Sequence, residues 1–306
     1  MLHKLYRIAL AMLLGAGLQT GVLAQQPASD AFMKEMEAAK AAAAAVMQEG
    51  PKDIVLGEQA VLKLPLGYSF IPKAEGARLM TAMGNHTGDD FLGLIFSEKI
   101  NGFVDVSFEK SGYIKDEDAK DWKVDELLQN LKDGTEQGNK DRAARGLPEM
   151  DVIGWVEKPT YEAGTHRLVW SLSTRDKGAP AGAEQGVNYN TYVLGREGYL
   201  SLNVVTDLKD IEAEKPLARE LLASVSFNQG KRYEDFNAST DHIAEYGLAA
   251  LVGGIAVKKL GLLAMAGVFL LKMWKVAALA VFGFGAGIRK WLGRKKDDNS
   301  KDSDAA

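Results

Sequence analysis

The sequence predicts an α+β protein, an antiparallel sheet built around a meander, packed with helices and followed by a C-terminal apolar helical segment. Three observations carry that prediction. Runs of alternating apolar and polar residues recur between residues 103 and 206, and period-two alternation marks a half-buried strand. Two further stretches repeat their apolar residues every three to four positions, as a helix does when it lies beside a sheet. Beyond residue 246 both patterns give way to long apolar runs interrupted by lysines.

The 306-residue chain opens with a short basic stretch, an apolar run from Ile8 to Leu18, and small residues at Val22 and Ala24. This is the layout of a signal peptide over residues 1–24, because the run is shorter than the ~20 residues a membrane span needs. The chain has no cysteine, which removes disulfides and thiolate chemistry. With such a leader, the bacterial periplasm is the expected compartment. Residues 25–52 read as an Ala-rich helix that starts at Ser29/Asp30 and stops at Gly50-Pro51. Its tract AAKAAAAAV has a thin apolar face and is expected to act as a spacer, leaving residues 53–240 as the globular domain.

In GFVDVSFEK, Val104, Val106 and Phe108 point to one side. A helix is expected over 121–132, with Val124, Leu127, Leu128 and Leu131 on one face. Four strands follow at 151–158, 165–174, 187–194 and 199–206, joined by the turn-rich segments YEAG, DKGAPAGAEQG and GREG. Leu168, Trp170 and Leu172 share a side, as do Leu200, Leu202 and Val204. The sheet's outer face is expected to be partly polar and aromatic, offering Tyr189, Tyr192, Asn188 and Asn190 for contact. A last helix over 210–225 gathers Leu217, Leu221, Leu222 and Val225, and tolerates Pro216 only near its start or at a kink.

Residues 241–292 are the expected membrane anchor and 293–306 a charged tail. Apolar runs at 247–257, 260–271 and 276–288 are separated by Lys258 and Lys259 and by Lys272 and Lys275, and none alone reaches the ~20 residues required. Two layouts stay open. One tilted helix crosses over about 268–288 while Lys272 and Lys275 snorkel outward; or two short helices form a hairpin that turns at those lysines. The basic cluster around Arg289 and Lys290 favours a cytoplasmic C-terminus and the single crossing. Gly283 and Gly287 form a GxxxG pair through which two anchors could form a homo-oligomer, although small-residue tolerance in a membrane helix explains them as well. The tail 247–306 has ten Lys/Arg against four Asp, whereas residues 25–246 have 25 Lys/Arg against 37 Asp/Glu. An acidic body argues against nucleic acid as a partner, and a basic tail suits a lipid bilayer.

No catalytic signature is present: no GxSxG, HExxH, SxxK, P-loop or GxGxxG. In GNHTGDDFLG, His86, Asp89 and Asp90 could share a metal, but a Gly-flanked polar run is more simply a turn. His166, expected in a strand beside Leu168, reads as a partly buried, hydrogen-bonded imidazole. KDEDAKDWKVDELL lacks the central glycine of a calcium loop, and its acids suit a helix N-terminus without any ion. No metal or cofactor is expected.

The phrases GDDFLGLIFSE, VIGWVEKPTYEAGTHRLVWSL, NYNTYVLGREGYLSLNVV and GKRYEDFNASTD together resemble the bacterial family of membrane-anchored proteins called domain of unknown function 2167, over about residues 50–290. That resemblance implies a signal peptide, a periplasmic α+β body and a C-terminal anchor, and transfers no catalytic residue. VLKLPLGYSFIP and LLASVSF are also similar to the Mog1/PsbP-type sandwich of sheet and helices. The expected function is that of a non-enzymatic envelope protein whose body binds a partner protein or envelope component. A periplasmic hydrolase is the alternative, to be recognised by a pocket that gathers two or more of His86, Asp89, Asp90 and His166. An oligomerising membrane element is a third reading. Truncation at Asp241 is expected to release a soluble body.

Overall fold

A computed structural model describes residues 30–253 other than 121 and 145. The expected signal peptide, the lysines Lys258, Lys259, Lys272 and Lys275, the pair Gly283 and Gly287, Arg289, Lys290 and the charged tail lie outside the described residues. The chain divides into two units, Met1–Gly254 and Ile255–Ala306, and the fold below is that of the first. No described helix is long and apolar enough to cross a membrane.

In chain order the elements are α1 (Asp30–Val46), β1 (Gln48–Glu49), β2 (Lys52–Leu56), β3 (Ala60–Leu64), β4 (Tyr68–Pro72), α2 (Lys73–Ala82), β5 (Phe91–Ser97) and β6 (Phe103–Glu109). After a 3-10 turn at Glu117–Lys120 come α3 (Val124–Ala144), β7 (Met150–Glu162), β8 (Arg167–Asp176), β9 (Gly186–Leu194), β10 (Tyr199–Asp207), α4 (Ile211–Ala223), β11 (Val225–Phe227) and α5 (Leu248–Gly253). Eight strands form one antiparallel sheet in the order β1-β4-β5-β6-β10-β9-β8-β7, and β11-β3-β2 form a second. The meander is therefore present, with β7 lengthened to Glu162 and its register to β8 shifted at three places.

Why this sheet needs cover on both faces follows from its side chains. Val104 and Val106 of β6, Leu200, Leu202 and Val204 of β10, and Tyr189 of β9 point to one face. There they meet Ile211, Leu221 and Leu222 of α4 and Ile54, Leu56 and Leu62 of the small sheet. Val169 of β8 joins them, while the other apolar residues of that strand point the opposite way. Leu168, Trp170 and Leu172 pack with Leu127 of α3 and with Leu248 and Val252 of α5. At the other end of that same face, Ile71, Leu94, Phe96 and Phe103 pack beneath α1 and α2. A sheet buried on both sides is stabilised at about 25 cal/mol per Å2 of apolar surface removed from water, so each helix is fixed by the strands it covers.

Three expectations change here. The Ala-rich helix is no spacer: Ala39 and Ala43 are fully buried, because small side chains let α1 approach the sheet and α2 closely. Glu35 on its outer side accepts two hydrogen bonds from Arg78, at 2.9 and 3.2 Å, and β1 pairs with β4, so the body begins at Asp30 rather than at residue 53. The helix expected over 121–132 continues to Ala144 through Gly134 and Gly138, residues that weaken a helix without ending it. What holds its far end is Asn139, almost fully buried, which donates to the Met150 carbonyl at 2.9 Å and accepts from the Met150 N–H at 2.8 Å. The final helix stops at Ala223, and Val225 opens β11 instead.

The start of the expected anchor also belongs to the body. Asp241 pairs with Arg196 at 2.7 Å. Tyr113 N–H donates to the His242 carbonyl and Ala244 N–H to the Tyr113 carbonyl, both at 2.8 Å. Asp118 accepts from the N–H groups of Leu248 and Ala249 at 3.1 and 3.0 Å, satisfying donors that a helix start leaves unpaired. Leu248 and Val252 are fully buried. A body cut at Asp241 therefore loses Leu248, Leu251 and Val252, at about 1.5–3 kcal/mol for each buried side chain. Urea denaturation of chains ending at Asp241 and at Gly253 is expected to show the shorter one less stable by at least about 4 kcal/mol; equal midpoints would mean α5 contributes nothing.

Candidate functional site

Strand register places a polar strip in the middle of the helix-covered face. Asp105 lies opposite Asn203, Asn203 opposite Asn190, and Asn190 opposite Trp170. The next row is Ser107, Ser201, Tyr192 and Leu168, and the one after it joins Glu109, Tyr199 and Leu194. Directly opposed residues hold their Cβ atoms about 4.5–5.5 Å apart, so these side chains share one floor. On one flank Leu94 faces Asp105 and Phe91 faces Ser107, in the cluster beneath α1 and α2. On the other flank Leu168 and Trp170 lie in the cluster beneath α3 and α5. Between them Asp105, Ser107, Ser201 and Asn203 are half-buried.

An aromatic line leads into this strip from the sheet edge. Trp155 meets Trp170 edge-on at 6.2 Å, Trp170 meets Tyr192 at 6.5 Å, and Tyr192 meets Tyr199 at 5.2 Å, separations within the range of favourable aromatic pairs. Asp90 arrives from the loop ahead of β5, where its carbonyl accepts from Phe108 N–H at 2.9 Å. Burial pushes the Asp105 carboxyl up to about 6; the like charge of Asp90 adds to the shift and Ser107 opposes it. Burial also raises Tyr192, against the neighbouring Trp170 and with help from Asp105. Tyr199 is raised by burial, then by Tyr192, Tyr246, Glu109 and Asp90. The Asn203 Oδ1 atom is buried with no hydrogen-bond partner among the described residues, a state that costs about 1–3 kcal/mol. This combination makes the strip the candidate site.

Of the residues singled out by sequence, Asn190 and Tyr192 stand in this strip and the charge of Asp90 reaches it. His86 and Asp89 are exposed in the turn after α2, where the Asp89 carbonyl accepts from Lys73 at 2.6 Å. Tyr189 is not a surface residue: it is fully buried on the opposite face, donating to Glu157 at 3.0 Å and accepting from Arg219 at 3.1 Å. His166 sits in the β7–β8 turn just ahead of the strand, with a left-handed φ of 52°. Its Nδ1 lies 3.1 Å from the Tyr161 hydroxyl, which donates to Asp116 at 2.8 Å, and its ring stacks on Tyr233 at 4.0 Å. Tyr233 in turn stacks on Tyr113 and donates to the Ile114 carbonyl at 2.8 Å. These groups satisfy one another and fasten the segments around residues 113 and 233 to the sheet. His86, Asp89 and Asp90 make no hydrogen bond or ion pair with His166, and no group of three or more His, Cys, Asp or Glu among the described residues could hold a metal.

Asp105 escaped the sequence reading because a polar residue at alternate positions of a strand looks like solvent-facing ornament when the cover on that face is unknown. Its raised carboxyl has a measurable consequence. A group that binds its proton more tightly in the folded state contributes stability that is full below its ordinary value of 3.8 and is lost as pH rises through about 6. In urea titrations Asp105→Asn is expected to match the parent near pH 4 and to exceed it by about 1–3 kcal/mol at pH 7.5; a constant difference across that range would show that Asp105 is not desolvated.

Comparison with known proteins adds a family and little more. A search of curated proteins finds no match. Among solved structures, the solution structure of cyanobacterial PsbP (CyanoP) from Synechocystis sp. PCC 6803 is similar at a TM-score of 0.35 and 10% identity, covering 60% of this chain and 91% of that one; a likeness of that size carries no argument. The family model described as "Protein of unknown function (DUF2167)" matches residues 48–283, a span that takes in every described strand and leaves out α1, and the chain belongs to that family.

Proposed function

We propose that this chain is a bacterial cell-envelope protein, anchored in the inner membrane by the apolar region after residue 253, with its body in the periplasm and its C-terminus in the cytoplasm. The body binds an envelope component without altering it chemically. The observation that supports this reading is the strip around Asp105, where the Asn203 side-chain oxygen and the Trp155 and Trp170 ring N–H groups are buried without hydrogen-bond partners among the described residues, between two apolar clusters. Binding sites combine such a few convergent polar groups with aromatic walls. The aromatic line from Trp155 to Tyr199 supplies the walls.

A hydrolase is the second reading, and one observation favours it: two carboxylates, Asp105 and Asp90, close enough for one to raise the other, as in sites that divide acid and base roles between two acids. The three rows of the strip contain no histidine or lysine, so a hydrolase here would use its carboxylates alone.

Native mass spectrometry of the detergent-extracted full chain is expected to find a small compound retained at constant mass, and to lose it in Asp105→Asn although that variant is the more stable. Release of the compound as a cleaved product would instead establish the hydrolase. For the membrane layout, a reporter fused after Ala306 is expected to be active only in its cytoplasmic form, since the basic cluster at residues 289–296 should stay inside; activity only in the periplasmic form would replace the single crossing by the hairpin.

A further inference from the structure

Resting on the binding role proposed for the Asp105 strip, we infer that its ligand presents a primary ammonium group, seated between the Asp105 carboxylate and the Asn203 side-chain oxygen with the Tyr192 and Tyr199 rings beside it. Two independent features converge on this chemistry. The first is an acceptor without a donor. Asn203 Oδ1 is buried and unpartnered, and Asn203 stands directly opposite Asp105 on the same face. A ligand that relieves it must donate a hydrogen bond, which a quaternary ammonium does not do, whereas a primary ammonium has three N–H donors and no acceptor.

The second feature is the sign of the field. Among the described residues, the titratable groups that act on Asp105 and its tyrosine neighbours are Asp90 from the loop ahead of β5, Glu109 from β6 itself, Tyr192 and Tyr199 from β9 and β10, and Tyr246 from the segment leading to α5. Every ionised group among them at neutral pH is a carboxylate. A neutral sugar or alcohol would leave Asp90 and Asp105 repelling one another. A cation offsets that repulsion, forms a charge-assisted hydrogen bond, and gains from the faces of the adjacent tyrosines, to which cations are attracted. Free amines and lipid headgroups both carry the ammonium, so the group is assigned here and its carrier is left to the experiment.

Ethanolamine and ethylene glycol differ by the ammonium alone and are the probes. Calorimetric titration of the full chain in detergent at pH 8 is expected to show ethanolamine binding at least tenfold more tightly than ethylene glycol, and Asp105→Asn is expected to abolish the difference. Because the cation must displace a proton from Asp105, affinity is expected to fall by up to tenfold per pH unit below about 6, and to weaken with added salt. A parallel titration with vesicles of phosphatidylethanolamine in place of free ethanolamine tells a headgroup from a soluble amine, and binding of either form upholds the assignment. Equal binding of ethylene glycol, sensitive to Asp105→Asn but indifferent to pH, would overturn the ammonium and leave the binding role intact. Absence of binding by both amine forms at pH 8 overturns the ammonium too, and the compound retained in native mass spectrometry then decides separately whether the strip binds anything at all.

Discussion

The pairing of β6 with β10 is the seam on which the rest of the body depends. It runs from Tyr199 opposite Glu109 to Val205 opposite Phe103 and joins the strands built from residues 48–109 to the meander built from residues 150–207. Without it there are two smaller sheets, each with an unpaired edge and half a core. With it, the apolar side of both halves forms one continuous surface for α4 and the small sheet, and the reverse side is divided between two helical covers. The division matters because the half-buried polar strip lies between the two covers. Asp105 and Asn203 meet at the seam itself, so the contact that completes the fold also creates the polar strip.

Much of this was legible in the sequence, and the parts that were not share one cause. Period-two alternation located the meander and its turns because it is a local property of the chain. Alternation does not say which of two faces meets solvent when both are buried. Tyr189 was therefore placed outside, and Asp105 passed unnoticed among the residues assigned to water. The same blindness to tertiary cover made the Ala-rich helix look like a spacer: Ala39 and Ala43 contribute little apolar area each, and their value is the close approach they permit. The far half of α3 depends on Asn139 and its two hydrogen bonds to Met150, a polar tie that no apolar periodicity reveals. Asp90 was found for the wrong company, grouped with His86 and Asp89 in sequence, whereas its charge acts on Asp105 and Tyr199.

The edges of the large sheet also explain how an eight-stranded sheet avoids pairing with copies of itself. One edge, β1, has only two residues. The other, β7, is long, but its register shifts between Val152 and Gly154, between Trp155 and Glu157 and between Glu157 and Thr160, and it carries Pro159, which has no N–H to offer. Shortness at one edge, and bulges with a proline at the other, are the usual protections against edge-to-edge association.

The docking of the segment from Asp241 to Gly253 has a mechanical meaning. A pull applied at Gly253 is not borne by a loose linker. It must first draw Leu248 and Val252 out of the core and break the Asp118 contacts to Leu248 and Ala249, and then part the two Tyr113 hydrogen bonds and the Arg196–Asp241 pair. These fastenings lie one after another along the chain, so load reaches them in sequence, from α5 back toward residue 241. The segment is a graded fastening: tension at Gly253 first strips α5 from Leu168 and Trp170 of β8 and only then loads the Arg196–Asp241 pair at the turn between β9 and β10.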